Sequence, residues 1–298
     1  MRVSFSIDLK PESGKQKFAI QLASALSRKG VQVTSRKPHV NLVFLDGVRR
    51  KCKNIFRLDG ILLNTRVNYR KKNKKLLNTI NQCDGIVYQN EFCEKCGRIF
   101  LGEFKIPGVC ILNGAALPPD IHPYKNSRPY LLAISRWRPH KRLKAIVDSF
   151  LYAGMDKNYD LLVLGDPDYV KKHQAVKYLG RKNVDETWSV IKGSEYAVHL
   201  AYLDWCPNSV VESLVCGKNV MHTTAGGTKH VVRENGIRIN DSKYKYKPID
   251  LYAPPPLDME EVKSGYEKMF TLSSPQVDYL HIDIVADQYI SFFQKVLS

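Results

Sequence analysis

The sequence holds no apolar run of membrane-spanning length. Its apolar stretches, Leu161–Leu164 and Tyr130–Ile134 among them, are strand-length, against the ~20 residues that a spanning helix needs. No secretory segment is expected either, because polar and charged residues break up the opening MRVSFSIDLKPESGK before an apolar core forms. A cytoplasmic protein is the expectation. Cysteine is sparse: seven residues, an odd number without regular spacing, fit reduced thiols and not a disulfide framework. Cys93 and Cys96 form one CxxC, but no second pair has the spacing of a zinc site. Carboxylates are scarce as well, 29 Asp and Glu against 46 Lys and Arg, for a formal net charge of +17. That excess draws anionic partners. It is densest in Arg49-Arg50-Lys51-Cys52-Lys53 and in Arg70-Lys71-Lys72-Asn73-Lys74-Lys75, runs that are either solvated faces or a patch meeting a membrane surface or a phosphate-bearing acceptor. RNP-like, zinc-finger and helix-turn-helix signatures are missing, which argues against a nucleic-acid binder. No G-x-G-x-x-G follows the first strand, which argues against a dinucleotide-dependent oxidoreductase.

What is present has the composition of a folded protein, 44% hydrophobic and 25% charged. Short runs of Val, Ile, Leu and Tyr alternate with helix-period text, the pattern of βα units around a parallel sheet, so the fold class is α/β. Strands are expected at Val3–Ile7, Val31–Val33, Val40–Leu45, Ile55–Leu58, Gly85–Tyr88 and Val109–Leu112. Between the first two, Phe18, Leu22, Ala25 and Leu26 line one helix face, with Ser13 and Gln16 as a capping box and Gly30 as the stop. The text then turns rich in proline at 117–129, where a domain boundary is expected. A second alternation follows, with strands at Tyr130–Ile134, Leu161–Leu164, Tyr196–Leu200 and Asn219–His222 and helices opening near Pro139 and Pro207. Two Rossmann-like domains are therefore expected, 1–125 and 126–275. Residues 276–298 form an amphipathic terminal helix that can pack back on the first domain.

Two clusters carry chemistry. In Ser135-Arg136-Trp137-Arg138-Pro139-His140-Lys141 a strand ends, a loop follows and Pro139 opens a helix with Leu143, Ile146, Val147, Phe150 and Leu151 inward. Arg136 and Lys141 then sit where helix N–H groups and the helix dipole already favour a phosphate, one as a bidentate fork and the other as a mobile point charge. The second cluster, Asp204-Trp205-Cys206-Pro207-Asn208-Ser209-Val210-Val211-Glu212, sets one carboxylate in a loop and one in a helix closed by Gly217. Carboxylates accept paired hydroxyls, which suits a sugar or a ribose. His199 and His222 lie in apolar strand text and read as core histidines. Trp137, Trp205 and Tyr202 flank the clusters and read as either core or stacking residues.

In this order the clusters resemble the retaining GT-B glycosyltransferases of family 4, within glycosyl transferases group 1, with their S-R-x-x-x-x-K, E-x₇-E and Gly-rich turn. The counterparts here are Ser135, Arg136 and Lys141, then Asp204 and Glu212, then Gly217-Lys218-Asn219-Val220 and Ala225-Gly226-Gly227-Thr228. Cys110-Ile111-Leu112-Asn113-Gly114 resembles the family's P-N-G-V-D turn, Arg57-Leu58-Asp59-Gly60 its R-x-D-G segment, and Asp84-Gly85-Ile86-Val87-Tyr88-Gln89-Asn90-Glu91-Phe92 its D-G-V-I-x-Q-S-E-F text. The likeness covers most of residues 1–235 and identifies a compact member.

The resemblance implies two domains facing a cleft and transfer of a hexose, with retention, from a UDP- or GDP-linked sugar to a glycan, lipid-linked or small-molecule acceptor. Arg136 and Lys141 meet the diphosphate, Glu212 the ribose and Asp204 the transferred sugar. Ser135, Asn208, Ser209 and Gly14 complete the donor contacts, and Asp59 serves the acceptor side. No cofactor and no metal is implied, since the Lys/Arg pair neutralises the leaving diphosphate; Asp166-Pro167-Asp168 has a metal-binding spelling but no role. The departures are Asp204 in place of Glu, a Gly-Gly loop reduced to Glu12-Ser13-Gly14-Lys15, and no match for the family's histidine, His39 being nearest. They leave a second reading, a catalytically idle GT-B scaffold that binds nucleotide or glycan. A nucleic-acid-binding protein is a distant third.

Overall fold

The computed structural model describes all residues except Pro11, Glu12, Asp46 and Pro119. Glu12 of the reduced loop and Pro119 of the proline-rich boundary thus lie outside the described residues. The chain forms two units, one of residues 1–116, 246–248 and 278–298, the other of residues 117–245 and 249–277.

The first unit opens with β1 (Arg2–Phe5), α1 (Gly14–Arg28), β2 (Gln32–Val33), β3 (Val40–Val43) and β4 (Lys53–Leu58). It continues through α2 (Tyr69–Ile80), β5 (Gly85–Tyr88), α3 (Glu91–Leu101) and β6 (Gly108–Cys110). Ser13 caps α1, its side chain accepting from the Gln16 N–H. The Gln16 side chain accepts from the Ser13 hydroxyl (2.7 Å) and does not reach back to the cap N–H, so the box is half made. Gly30 stops the chain in the left-handed region, φ +78°. The strands are parallel in the order β2-β1-β3-β4-β5-β6. Phe18, Leu22 and Leu26 of α1 cover one face with Val3, Leu42, Ile55 and Val87. The terminal helix α9 (Ile282–Leu297) packs on the same core through Val285, Tyr289, Phe292 and Phe293.

The second unit repeats the scheme with β7 (Tyr130–Ile134), α4 (Leu143–Tyr152), β8 (Asp160–Leu164), β9 (Val176–Gly180), α5 (Val184–Gly193) and β10 (Tyr196–His199). Then come α6 (Asn208–Val215), β11 (Val220–Thr223), α7 (Thr228–Val232), β12 (Gly236–Ile239) and α8 (Met259–Met269). Its parallel order is β12-β11-β10-β7-β8-β9. Leu131, Val163 and Val198 face α4 and α8, while Leu132 and Leu162 face Val190 and Ile191 of α5. Helices on both faces explain why the central strands β7 and β8 run apolar without alternating.

Residues 117–125 join the second unit, because Tyr124 N–H donates to Ser189 and the Ser189 hydroxyl and Lys192 ammonium donate to the His122 and Ile121 carbonyls of that segment. No described helix is long and apolar enough to cross a membrane.

Candidate active site

The loop after β7 is pinned against β8: Trp137 Nε1 donates to the Leu164 carbonyl (2.7 Å), and Gly165, at φ +96°, leaves no room for a Cβ beside the Ser135 carbonyl. Ser135 is half-buried and Arg136 exposed. The continuous helix expected from Pro139 is not formed. Pro139–Lys141 makes a 3-10 turn, Arg142 follows in the left-handed region at φ +56°, and α4 starts afresh at Leu143. Arg142 is what breaks the helix: its buried guanidinium is forked onto Asp241 (2.6 and 3.0 Å), donates to the Pro255 carbonyl (2.6 Å) and lies over the Tyr202 ring. The turn aims the Lys141 ammonium at the Asp204 carboxylate.

Asp204 is held on every side. One of its oxygens takes both Lys141 and His199 Nε2 (2.9 Å), and the other accepts the Trp205 N–H (3.0 Å). Its carbonyl accepts the Gly227 N–H (2.6 Å), and Gly226, φ +89°, packs its α-carbon against the Asp204 backbone. The Gly-rich turn thus fixes the loop carboxylate. Burial alone raises a carboxyl pKa, but here the Lys141 charge and the His199 hydrogen bond outweigh it and hold Asp204 well below the usual range. Burial pushes His199 down, so its neutral imidazole donates Nε2–H to Asp204. His140, inside the 3-10 turn, falls to about 4 through burial and the adjacent Lys141.

Helix α6 begins after Pro207 and ends at Gly217, φ +76°. Asn208 and Ser209 lie half-buried in its first turn and Glu212 is buried one turn on. In the second unit the structure therefore joins Lys141 to Asp204, with Glu212 on the helix that follows Asp204. Arg136 stands exposed on the loop, outside that ion cluster. His199, read from sequence as a core histidine, is buried as expected, and the partner that satisfies it is Asp204, whose only signal was its position five residues on. His222 is buried, its Nδ1 against the Thr223 carbonyl (2.9 Å). Asp166 pairs at the surface with Arg181. No group of three or more His, Cys, Asp or Glu side chains among the described residues is placed to hold a metal ion.

Asp59 and Gly14 belong to the first unit. Gly14 opens α1. Asp59 leaves the carboxyl end of β4 and pairs with Arg57, whose guanidinium is buried over the Phe18 ring (4.2 Å) and also bonds Asn113 and Tyr289 (3.0 Å). Gln89 Nε2 reaches Asp59 (3.5 Å) and Asn113 (3.3 Å). The R-x-D-G and N-G segments thus meet in one polar network at the carboxyl edge of the first sheet.

Two α/β units, each built on a six-stranded parallel sheet, are the architecture of the GT-B glycosyltransferase fold. Residues 119–244 match the family model described as Glycosyl transferases group 1. No curated protein matches the chain. Among solved structures, sucrose-phosphate synthase from Thermosynechococcus elongatus is similar over 99% of this chain and 98% of its own, at 11% identity and TM-score 0.72. Anabaena HepE, solved with UDP and glucose, is similar over 99% of this chain and 100% of its own, at 14% identity and TM-score 0.64. A glycosyltransferase involved in avilamycin A biosynthesis is similar over 99% and 98%, at 12% identity and TM-score 0.62. The GT-B fold expected from the motifs is borne out over the whole chain, and the match to glycosyl transferases group 1 spans residues 119–244.

Proposed function

We propose that the protein transfers a hexose, with retention of configuration and without a metal, from a nucleoside-diphosphate sugar to an acceptor hydroxyl. The observation that carries this reading is the ammonium of Lys141, delivered by a 3-10 turn onto Asp204 in the segment that matches the family model. Arg136 and Lys141 neutralise the diphosphate as the bond from the sugar C1 to its phosphate oxygen breaks. That charge grows in the transition state, so cations fixed in advance lower the barrier. The acceptor oxygen bonds to C1 on the same face, and its proton passes to the departing phosphate oxygen. Glu212 holds the ribose, Ser135, Asn208 and Ser209 line the nucleotide, and Asp204 positions Lys141 and meets the sugar. UDP-glucose is the first donor to try, since the similar HepE was solved with it.

Nucleotide-dependent thermal shift followed by single-turnover release of the nucleoside diphosphate tests the proposal. UDP or GDP should raise the melting temperature of the native protein and fail to do so for Arg136→Ala and Glu212→Ala, while Lys141→Ala lowers kcat/KM by about 10²–10³-fold. A shift without turnover makes the chain a nucleotide-binding scaffold. No shift with any nucleotide removes the donor site altogether.

A further inference from the structure

Several surface cations are answered by carboxylates four residues away: Arg98 by Glu94, Lys144 by Asp148, Lys182 by Glu186 and Arg238 by Glu234. Helix α2 offers its cations no such partner. Its sequence, YRKKNKKLLNTI, carries five cations and no acid. Arg70, Lys71, Lys72, Lys74 and Lys75 are all exposed, and the four lysines form no ion pair among the described residues. Asn73, Leu76 and Ile80 are the buried side of the helix. The arrangement opposes helix formation twice. Cations crowd the first turns, where the helix dipole disfavours them, and like charges repel at the i,i+4 spacings 70–74 and 71–75. An anionic surface relieves both. Arg49, exposed in the loop between β3 and β4, adds a further cation in the neighbourhood of Cys83, which follows the helix. Lys53, which opens β4, is already taken by Asp84.

We propose that this face of α2, about 18 Å long, docks the first unit on an anionic lipid surface. Lysine ammoniums are hydrated point charges without fixed geometry, suited to a fluid layer of headgroups. The one guanidinium of the helix, Arg70, donates to the Tyr69 hydroxyl (3.3 Å) beside that ring and is not offered as a fork to a base. Val48, 74% exposed next to Arg49, adds an apolar residue for the headgroup boundary. The inference holds independently of the nucleotide-sugar reading.

Co-sedimentation of the full chain with phosphatidylcholine vesicles, plain or with about one-third phosphatidylglycerol, tests it. The native protein should sediment only with the anionic vesicles and be released by salt. Reversal of Lys71, Lys72, Lys74 and Lys75 to Glu should weaken partitioning at least about a hundredfold. Reversing as many lysines in the second unit (Lys157, Lys172, Lys243 and Lys268 to Glu) should leave most of it. The α2 variant retains any nucleotide thermal shift of the native protein, which reports an intact second unit. Equal loss in both variants reduces the effect to net charge and overturns the proposal. So does absence of vesicle binding by the native protein, or duplex DNA outcompeting the vesicles at equal phosphate.

Discussion

Arg142 sits in a backbone conformation that costs a side chain about 1–2 kcal/mol, and it is kept there by its pairing with the fully buried Asp241. Removing one partner of such a pair strands the other charge. Asp241→Ala is therefore expected to lower the unfolding free energy by about 3–5 kcal/mol in urea titration; a loss within 1 kcal/mol would make the pair no more than a surface ion bridge. Nothing in the local text announced this contact, because the two residues are 99 positions apart. Lys141 was legible, since strand, turn former and cation follow one another within ten residues. The partner that orients it was half legible: Asp204 was read as a sugar ligand, whereas the fold gives its carboxylate first to Lys141 and His199.

Among elements, the strands of the first unit and the central strands of the second were legible, and the edge strands of the second were not. The expected ranges at β5, β7, β8 and β10 lie within one residue of those observed, and that of β4 starts two residues late, because buried parallel strands write continuous apolar runs. Strands β9 and β12 went unseen. Each has one neighbouring strand, and half-exposed positions admit Lys177 and Arg238. The turn between β7 and α4 also required the third dimension, since its shape depends on Gly165 of the next strand. Gly165→Ala should displace the Ser135–Trp137 loop, cost about 1–3 kcal/mol and abolish the nucleotide thermal shift. Gly180→Ala, equally left-handed at φ +64° but with nothing near its Cβ, should destabilise less and keep the shift. If the two variants lose nucleotide binding alike, the loop is not set by that glycine.

At the scale of the molecule, the half-buried His140 and the buried His222 of the second unit are pushed down to about 4, and the buried His199 is also lowered, burial being the main cause in each. The unfolded chain protonates its histidines near 6.5 while the folded one does not. Stability is thus fully present above that pH and falls as pH drops towards 4, by up to about 1.4 kcal/mol per pH unit for each group. Urea midpoints measured from about pH 7.5 to about pH 4.5 should show this fall, and His222→Gln should flatten it. An unchanged slope in that variant would remove His222 from the account. Composition, periodicity and turn chemistry by themselves determined the α/β class and the succession of most strands along the chain, since each is written over a few neighbouring positions. Only the tertiary structure decided that α9 completes the core of the first unit, that Tyr289 hydrogen-bonds Arg57 and that His199 turns to Asp204. Most of those choices rest on burying a particular apolar face or charge against a distant segment, and local spacing carries no record of which segment that is.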